Sequence, residues 1–256
     1  MRGSRQKVLR ANEHIEALGA LQREYVSRSP FRLERIEDSP TGPISYVLRI
    51  AEAIPESWSA VAGDAIHNLR SSLDHLACDL VATGGGVVSE STAFPMSRTA
   101  ASLKQTIANR LRGATSEAHT FARRLKPYPG GNRRLAQLHA LDIADKHHAL
   151  LIAGAAHREI IIEHRMTVPW QDEPMMFPPL ALRPADRQFP LRDGAEVLGV
   201  AAAVRTAGLP FEEPKIAIEL CIGTATETAG YPLMSTLQDL SGYVARMLDI
   251  ADRWFF

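Results

Sequence analysis

Seven apolar residues, Trp58, Ala62, Ile66, Leu69, Leu73, Leu76 and Leu80, recur every three or four positions. At about 100° per residue they form one stripe along a single long helix. A stripe of that length has to be covered by other helices, so the chain must build a bundle around it. The opposite side of the same helix carries Asp64, His67, Ser71, His75 and Cys78, with Arg70 and Asp74 at its margins. Surface helices ordinarily carry Lys and Glu there. These groups instead titrate, ligate metals or grip anions near neutral pH.

The neighbouring segments supply the covering elements. Val8, Ala11, Ile15, Leu18, Leu21 and Tyr25 repeat at helical spacing and predict a helix over 5–28, which Pro30 stops. Phe31 to Glu37 and Ile44 to Ala51 read as a β-hairpin, because Ile44, Tyr46, Leu48 and Ile50 alternate strictly and residues 38–43 hold two prolines and a glycine for the turn. The long helix spans about 56–82, between Pro55 and Gly84-Gly-Gly86. Shorter helices are expected near 99–111, 115–126 and 132–148. The patterning then turns to strands at 150–153, 159–168, 197–204 and 215–222, where Ile216, Ile218, Leu220 and Ile222 alternate. A Pro-rich connection over 169–190 holds Trp170, Phe177 and Phe189. Leu233, Leu237, Leu240, Val244, Met247, Leu248 and Ala251 predict a last helix over 232–254.

Helices segregated from strands indicate an α+β fold. The expected arrangement is one domain over 1–256. Its helical core comprises about 1–30, 55–148 and 230–256, and an antiparallel sheet from 31–52 and 150–224 is packed on it and inserted before the C-terminal helix. No apolar run approaches the roughly 20 residues of a membrane span. The basic start, Met1 to Arg10, lacks the apolar core of a signal peptide, and two distant cysteines, Cys78 and Cys221, suit free thiols; both point to a cytoplasmic protein. A formal net charge of zero excludes a protein that coats nucleic acid non-specifically. The charge is nevertheless uneven: 98–134 holds nine Lys or Arg against Glu117 alone. That stretch, with Arg110, Arg112, Arg123, Arg124, Lys126, Arg133 and Arg134, is the candidate surface for an RNA backbone.

Arg70-Ser-Ser-Leu-Asp-His75 places a guanidinium and an imidazole five positions apart. Cleavage of RNA by its own 2′-hydroxyl needs an acid or base that titrates near the working pH and a fixed cation beside the phosphate. Histidine and arginine provide these. Residues five apart on a helix point about 140° away from each other, so one copy of the helix does not bring both to one phosphate. The Arg-x4-His spacing, with Asn68, Leu69, Leu73 and Leu76 around it, resembles the motif helix of the HEPN superfamily. That resemblance implies a helical-bundle core and a metal-independent RNA endonuclease of toxin or phage-defence systems. It further implies a homodimer that packs two motif helices into a composite site, and an antitoxin partner. On that reading His75 is the general acid or base, Arg70 binds the scissile phosphate and Asp74 orients either one. His67 and Asn68 then line the substrate site with Arg123, Arg124, Lys126 and Arg133, and no cofactor is needed.

A second constellation leaves an alternative open. His139, Asp142 and Lys146 share one face of the 132–148 helix, with Asp145 and His148 beside it. Set against the long helix, Asp64, His67, His75, His139 and Asp142 would make a zinc or iron site between two helices. The same polar residues would equally form a hydrogen-bonded network that sets the register of the pair in a non-enzymatic interaction module, and Arg70 would pair with Asp74 at i, i+4. The phrases His-Asn-Leu-Arg-x-x-Leu-Asp-His-Leu and Leu-x-x-Leu-Asp-x-x-Asp-Lys-His also resemble a group of uncharacterised bacterial proteins. No P-loop and no Gly-x-Ser-x-Gly elbow occurs. Cys78, one turn from His75, is read first as a small core residue.

Overall fold

The computed structural model describes residues 1–148, 153–162, 165–166, 175–176, 180–182, 190–202, 214–223 and 229–256. The strands expected at 150–153, 159–168 and 197–204 lie partly outside them, and the aromatic residues Trp170, Phe177 and Phe189 wholly. The chain divides into two compact units. One comprises Met1–Leu21, Glu56–Ile152 and Thr224–Phe256, and the other Gln22–Pro55 and Ala153–Gly223. The first holds most of the helical residues, and the second holds the strands.

In the helical unit, α2 (Ser57–Thr83) is the central element. All seven stripe residues are buried, and so are Ala65, Ser72, Ala77 and Val81, so the covered arc is wider than the stripe alone. Helix α5 (Arg133–His148) buries Leu135, Leu138 and Leu141. It approaches α2 so closely that a Cβ at Gly63 would stand 2.7 Å from Asp145 Cγ. The last helix, α6 (Leu233–Phe255), buries all seven residues of its expected apolar side. Arg5 of α1 (Arg2–Ser27) reaches Asp249 and Asp252 on α6, each at 2.9 Å. Leu21, expected on the buried side of α1, is instead 37% exposed. Two short helices, α3 (Leu103–Arg110) and α4 (Ser116–Arg124), follow the glycine loop. Thr115 caps α4 by accepting the Ala118 N–H at 3.2 Å.

In the strand unit every pairing is antiparallel. The hairpin of β1 (Phe31–Glu37) and β2 (Ile44–Ile50) pairs Phe31 with Ile50 and Glu37 with Ile44. Its turn closes when Gly42 N–H donates to Ser39 O at 3.1 Å. Strand β7 (Glu196–Val200) adds to β2 through a bulge at Tyr46/Val47. A second sheet runs β6 (Leu180–Leu182), β3 (Ala153–Ile162) and β8 (Lys215–Ile222). Two-residue strands β4 (Arg165–Met166) and β5 (Met175–Met176) pair separately. The Pro-rich connection therefore contains strand pairing, which its prolines hid. The alternation expected over 215–222 is only partial, because Leu220, Cys221 and Ile222 are all buried. Both faces of that end of β8 are covered. Leu48 and Leu191 anchor an apolar cluster with Phe31, Leu33, Ile50, Val197 and Ile218.

The glycines after α2 have a specific use. Gly85 takes φ +79°, the left-handed region that favours glycine. Gly84 and Gly86 lie against the backbone of residues 113–115, and a Cβ on Gly86 would meet Gly113 Cα at 2.8 Å. Backbone cannot swing aside as a side chain can. Gly86→Ala is therefore expected to lower stability by about 1–3 kcal/mol, the cost of overpacking, in a urea titration.

Candidate functional site

The polar side of α2 stays outward. Asp64, His67 and His75 are exposed, and Asn68, Ser71, Asp74 and Cys78 are half-buried. This follows from the arc of the apolar stripe, which leaves these positions on the uncovered side. The exception is Arg70, whose side chain is 10% exposed. Its Nη1 donates to Asp74 Oδ1 at 2.7 Å, the i, i+4 pair that the spacing suggests. The same carboxylate oxygen accepts the Phe94 N–H at 2.8 Å, so Asp74 also fixes the loop after α2. Arg70 is thus held inside its own protomer, whereas His75 faces solvent beside Gly3 of α1. His75 makes no hydrogen bond among the described residues.

One turn below Arg70, α2 and α5 share a second network. Asp142, whose side chain is 4% exposed, faces His67 and Lys146 with its two oxygens. His67 Nδ1–H donates to Oδ1 at 3.1 Å and Lys146 Nζ donates to Oδ2 at 2.7 Å. An ionised carboxylate only accepts, so it selects the tautomer with the proton on Nδ1. Nε2 is then an acceptor on the exposed side, with Ser71 Oγ 3.4 Å away. This is how a carboxylate orients an imidazole for proton transfer. Ser71 as a neighbour of His67 is a contact that sequence reading missed, although i, i+4 spacing on α2 contains it.

Three further groups feel the same interface. His139 Nδ1 is buried and has no hydrogen-bond partner among the described residues. Burial, followed by the positive charge of Arg70, pushes its imidazole below the ordinary value of about 6.5. Asp145, against Gly63, is pushed up by burial, then by the Asp142 and Asp64 carboxylates. Burial, with Asp74 and Asp79, also pushes the Cys78 thiol up. That disfavours the thiolate a nucleophile requires. Asn68 is occupied locally: its Nδ2 donates to Asp64 O at 2.8 Å and its Oδ1 accepts from Lys7 at 3.2 Å. Among the described residues no three of His, Cys, Asp and Glu are placed to hold one metal ion. The five candidate ligands are divided: His67 and Asp142 touch, while His75 stands two turns further along α2.

The basic stretch divides in the same manner. Arg98, Arg112, Arg123, Arg124 and Lys126 are exposed and form no ion pair among the described residues. Arg134 is engaged by Asp239 through two hydrogen bonds, of 2.7 and 2.9 Å, and lies over the Tyr243 ring. Arg133 donates to the Tyr231 hydroxyl at 2.8 Å and covers that ring. Arg134 therefore holds α6 and Arg133 holds Tyr231 just before it, while Arg123 and Arg124 on α4 and Lys126 just after it remain unpaired among the described residues. No helix among the described residues is long and apolar enough to cross a membrane. Compared with family models, curated proteins and solved structures, the chain matches none.

His139 sets a pH signature. Its lowered value means that the folded state prefers the neutral ring, so the stability it contributes is complete above about pH 6.5 and is lost as pH falls through the folded value. Asp145 works in the opposite sense, since a raised carboxylic acid binds its proton more readily in the folded state. Denaturation midpoints should therefore fall between pH 7 and pH 5 in the wild type, and His139→Gln should flatten that fall. An unchanged slope in the variant would contradict the assignment.

Proposed function

We propose that this chain is a metal-independent RNA endonuclease that works by acid–base chemistry from the polar face of α2. The observation that carries this reading is the buried Asp142 carboxylate, which turns His67 so that Nε2 is presented outward on the face that also exposes His75. Transesterification of RNA needs one group to take the 2′-hydroxyl proton and another to protonate the departing 5′-oxygen. Exposed imidazoles can supply both groups without a metal, the second coming from another copy of α2, because His67 and His75 of one helix stand about 12 Å apart along its axis. The Arg-x4-His motif of Arg70 and His75 supports the same reading through its resemblance to HEPN proteins, and with it a homodimer pairing two copies of α2 and a toxin or phage-defence role checked by an antitoxin. Because Arg70 is buried against Asp74, its contribution is a fixed positive charge behind the face. The unpaired arginines of α4 are the better phosphate contacts.

A second reading, an interaction module in which the α2–α5 polar contacts serve stability alone, is favoured by the burial of Arg70 and Asp142. The two readings separate in one experiment. Purified protein should cleave unstructured RNA in the presence of EDTA. His67→Ala and His75→Ala should each slow cleavage by about 10²–10⁴-fold while melting as the wild type does. Full activity in both variants, or no cleavage by the wild type, would leave the interaction module as the account.

A further inference from the structure

A cleft between α4 and α6 lies outside this chemistry. It has a volume of about 270 Å³ and is lined by Ser116, Glu117, Thr120, Phe121, Arg124 and Trp254. Trp254 is 59% exposed, a large apolar area for a residue type that normally covers its rings. It is not loose: its ring meets Phe121 edge-on at 6.3 Å, and Phe121 is itself braced by Phe255 at 5.5 Å. The result is a supported aromatic surface whose remaining area faces solvent. Arg124 lines it, and Arg123, next to Arg124 in sequence, and Lys126, just after α4, are exposed as well; none of the three has a carboxylate partner among the described residues. Lys126 sits at φ +48°, in the left-handed region.

We propose that this cleft binds a base of single-stranded RNA, stacked on Trp254, with the flanking phosphates on Arg123, Arg124 and Lys126. Two observations choose this occupant. Single-stranded nucleic acid is held by an aromatic platform beside a row of cations, and stacking tolerates any base because every base has a π-face. Glu117 chooses the moiety that enters. Its carboxylate lines the cleft and is held below the ordinary carboxylate range by its own backbone N–H and by the Thr115 and Ser116 hydroxyls. A fixed negative charge repels a phosphate from the interior and accepts hydrogen bonds from the amino group of a base. The uneven charge of 98–134 then has a physical role: α4 presents its cations to the strand while the α5 arginines are spent on Asp239 and Tyr231.

This inference rests on the RNA reading above, so its test is made independent of cleavage. The probe is a fluorescein-labelled 2′-O-methyl octacytidylate, which has no free 2′-hydroxyl to attack. Anisotropy titrations of the full chain should show binding. Trp254→Ala should weaken it roughly tenfold or more, as expected for loss of one stacked base. Trp254→Tyr should restore most of the affinity, and Arg124→Gln should weaken binding and reduce its salt dependence. Trp254-dependent binding by a protein that leaves unmodified RNA intact would support the cleft and refute the nuclease. Wild-type affinity in both Trp254→Ala and Arg124→Gln would overturn the proposal. So would a Trp254→Ala effect confined to the oligomeric state, because the cleft would then receive a second copy of the chain.

Discussion

The closeness of α5 to α2 is the constraint from which the helical unit takes its character. Residue 63 has no side chain, and the Asp145 carboxylate occupies the space a Cβ there would take. With the helices this near, Asp142 is carried into the interface and its charge must be answered at once. Lys146 from the same helix and His67 from α2 answer it. A buried carboxylate with one partner would be a liability, because removing a charge from water is offset only by good hydrogen bonds. With two partners it becomes a fixed point that holds an imidazole in one orientation.

The cost of that arrangement appears in its neighbours. Asp145 is pushed up and His139 is pushed down, both chiefly by burial. His139 also has a buried ring nitrogen without a hydrogen-bond partner among the described residues. Structural networks in cores usually satisfy such atoms. Both shifts gather at one helix pair and follow from drawing titratable groups out of water beside one another. The Arg70–Asp74 pair differs, because it is closed, internally satisfied and tied to the Phe94 backbone.

Much of this fold is written locally. The stripe on α2, the seven apolar residues of α6 and the alternation of β2 each reflect a single period, and all became elements with close to the expected bounds. The i, i+4 pair of Arg70 and Asp74 was equally legible, since both partners lie on one helix. What escaped depends on distant segments. The reason for Gly86 is Gly113, and the reason that Arg134 is not free is Asp239; neither relation leaves a mark in local spacing. Leu220, Cys221 and Ile222 look like the end of a half-exposed strand until both faces are covered. In the candidate site, the residue types were evident from sequence, but the division of labour among them was not. Only packing between helices decides that Asp142 serves His67 and that Lys7 reaches Asn68, while His75 is left open.

The account stands on Asp142 setting the orientation of His67, and imidazole tautomers can be observed directly. Nitrogen-15 chemical shifts of the His67 ring, recorded on labelled protein at a pH where the ring is neutral, distinguish Nδ1–H from Nε2–H. The expected result is the Nδ1–H form in the wild type and its loss in Asp142→Ala. A wild-type ring that carries its proton on Nε2, or one that does not respond to the loss of Asp142, would contradict the account.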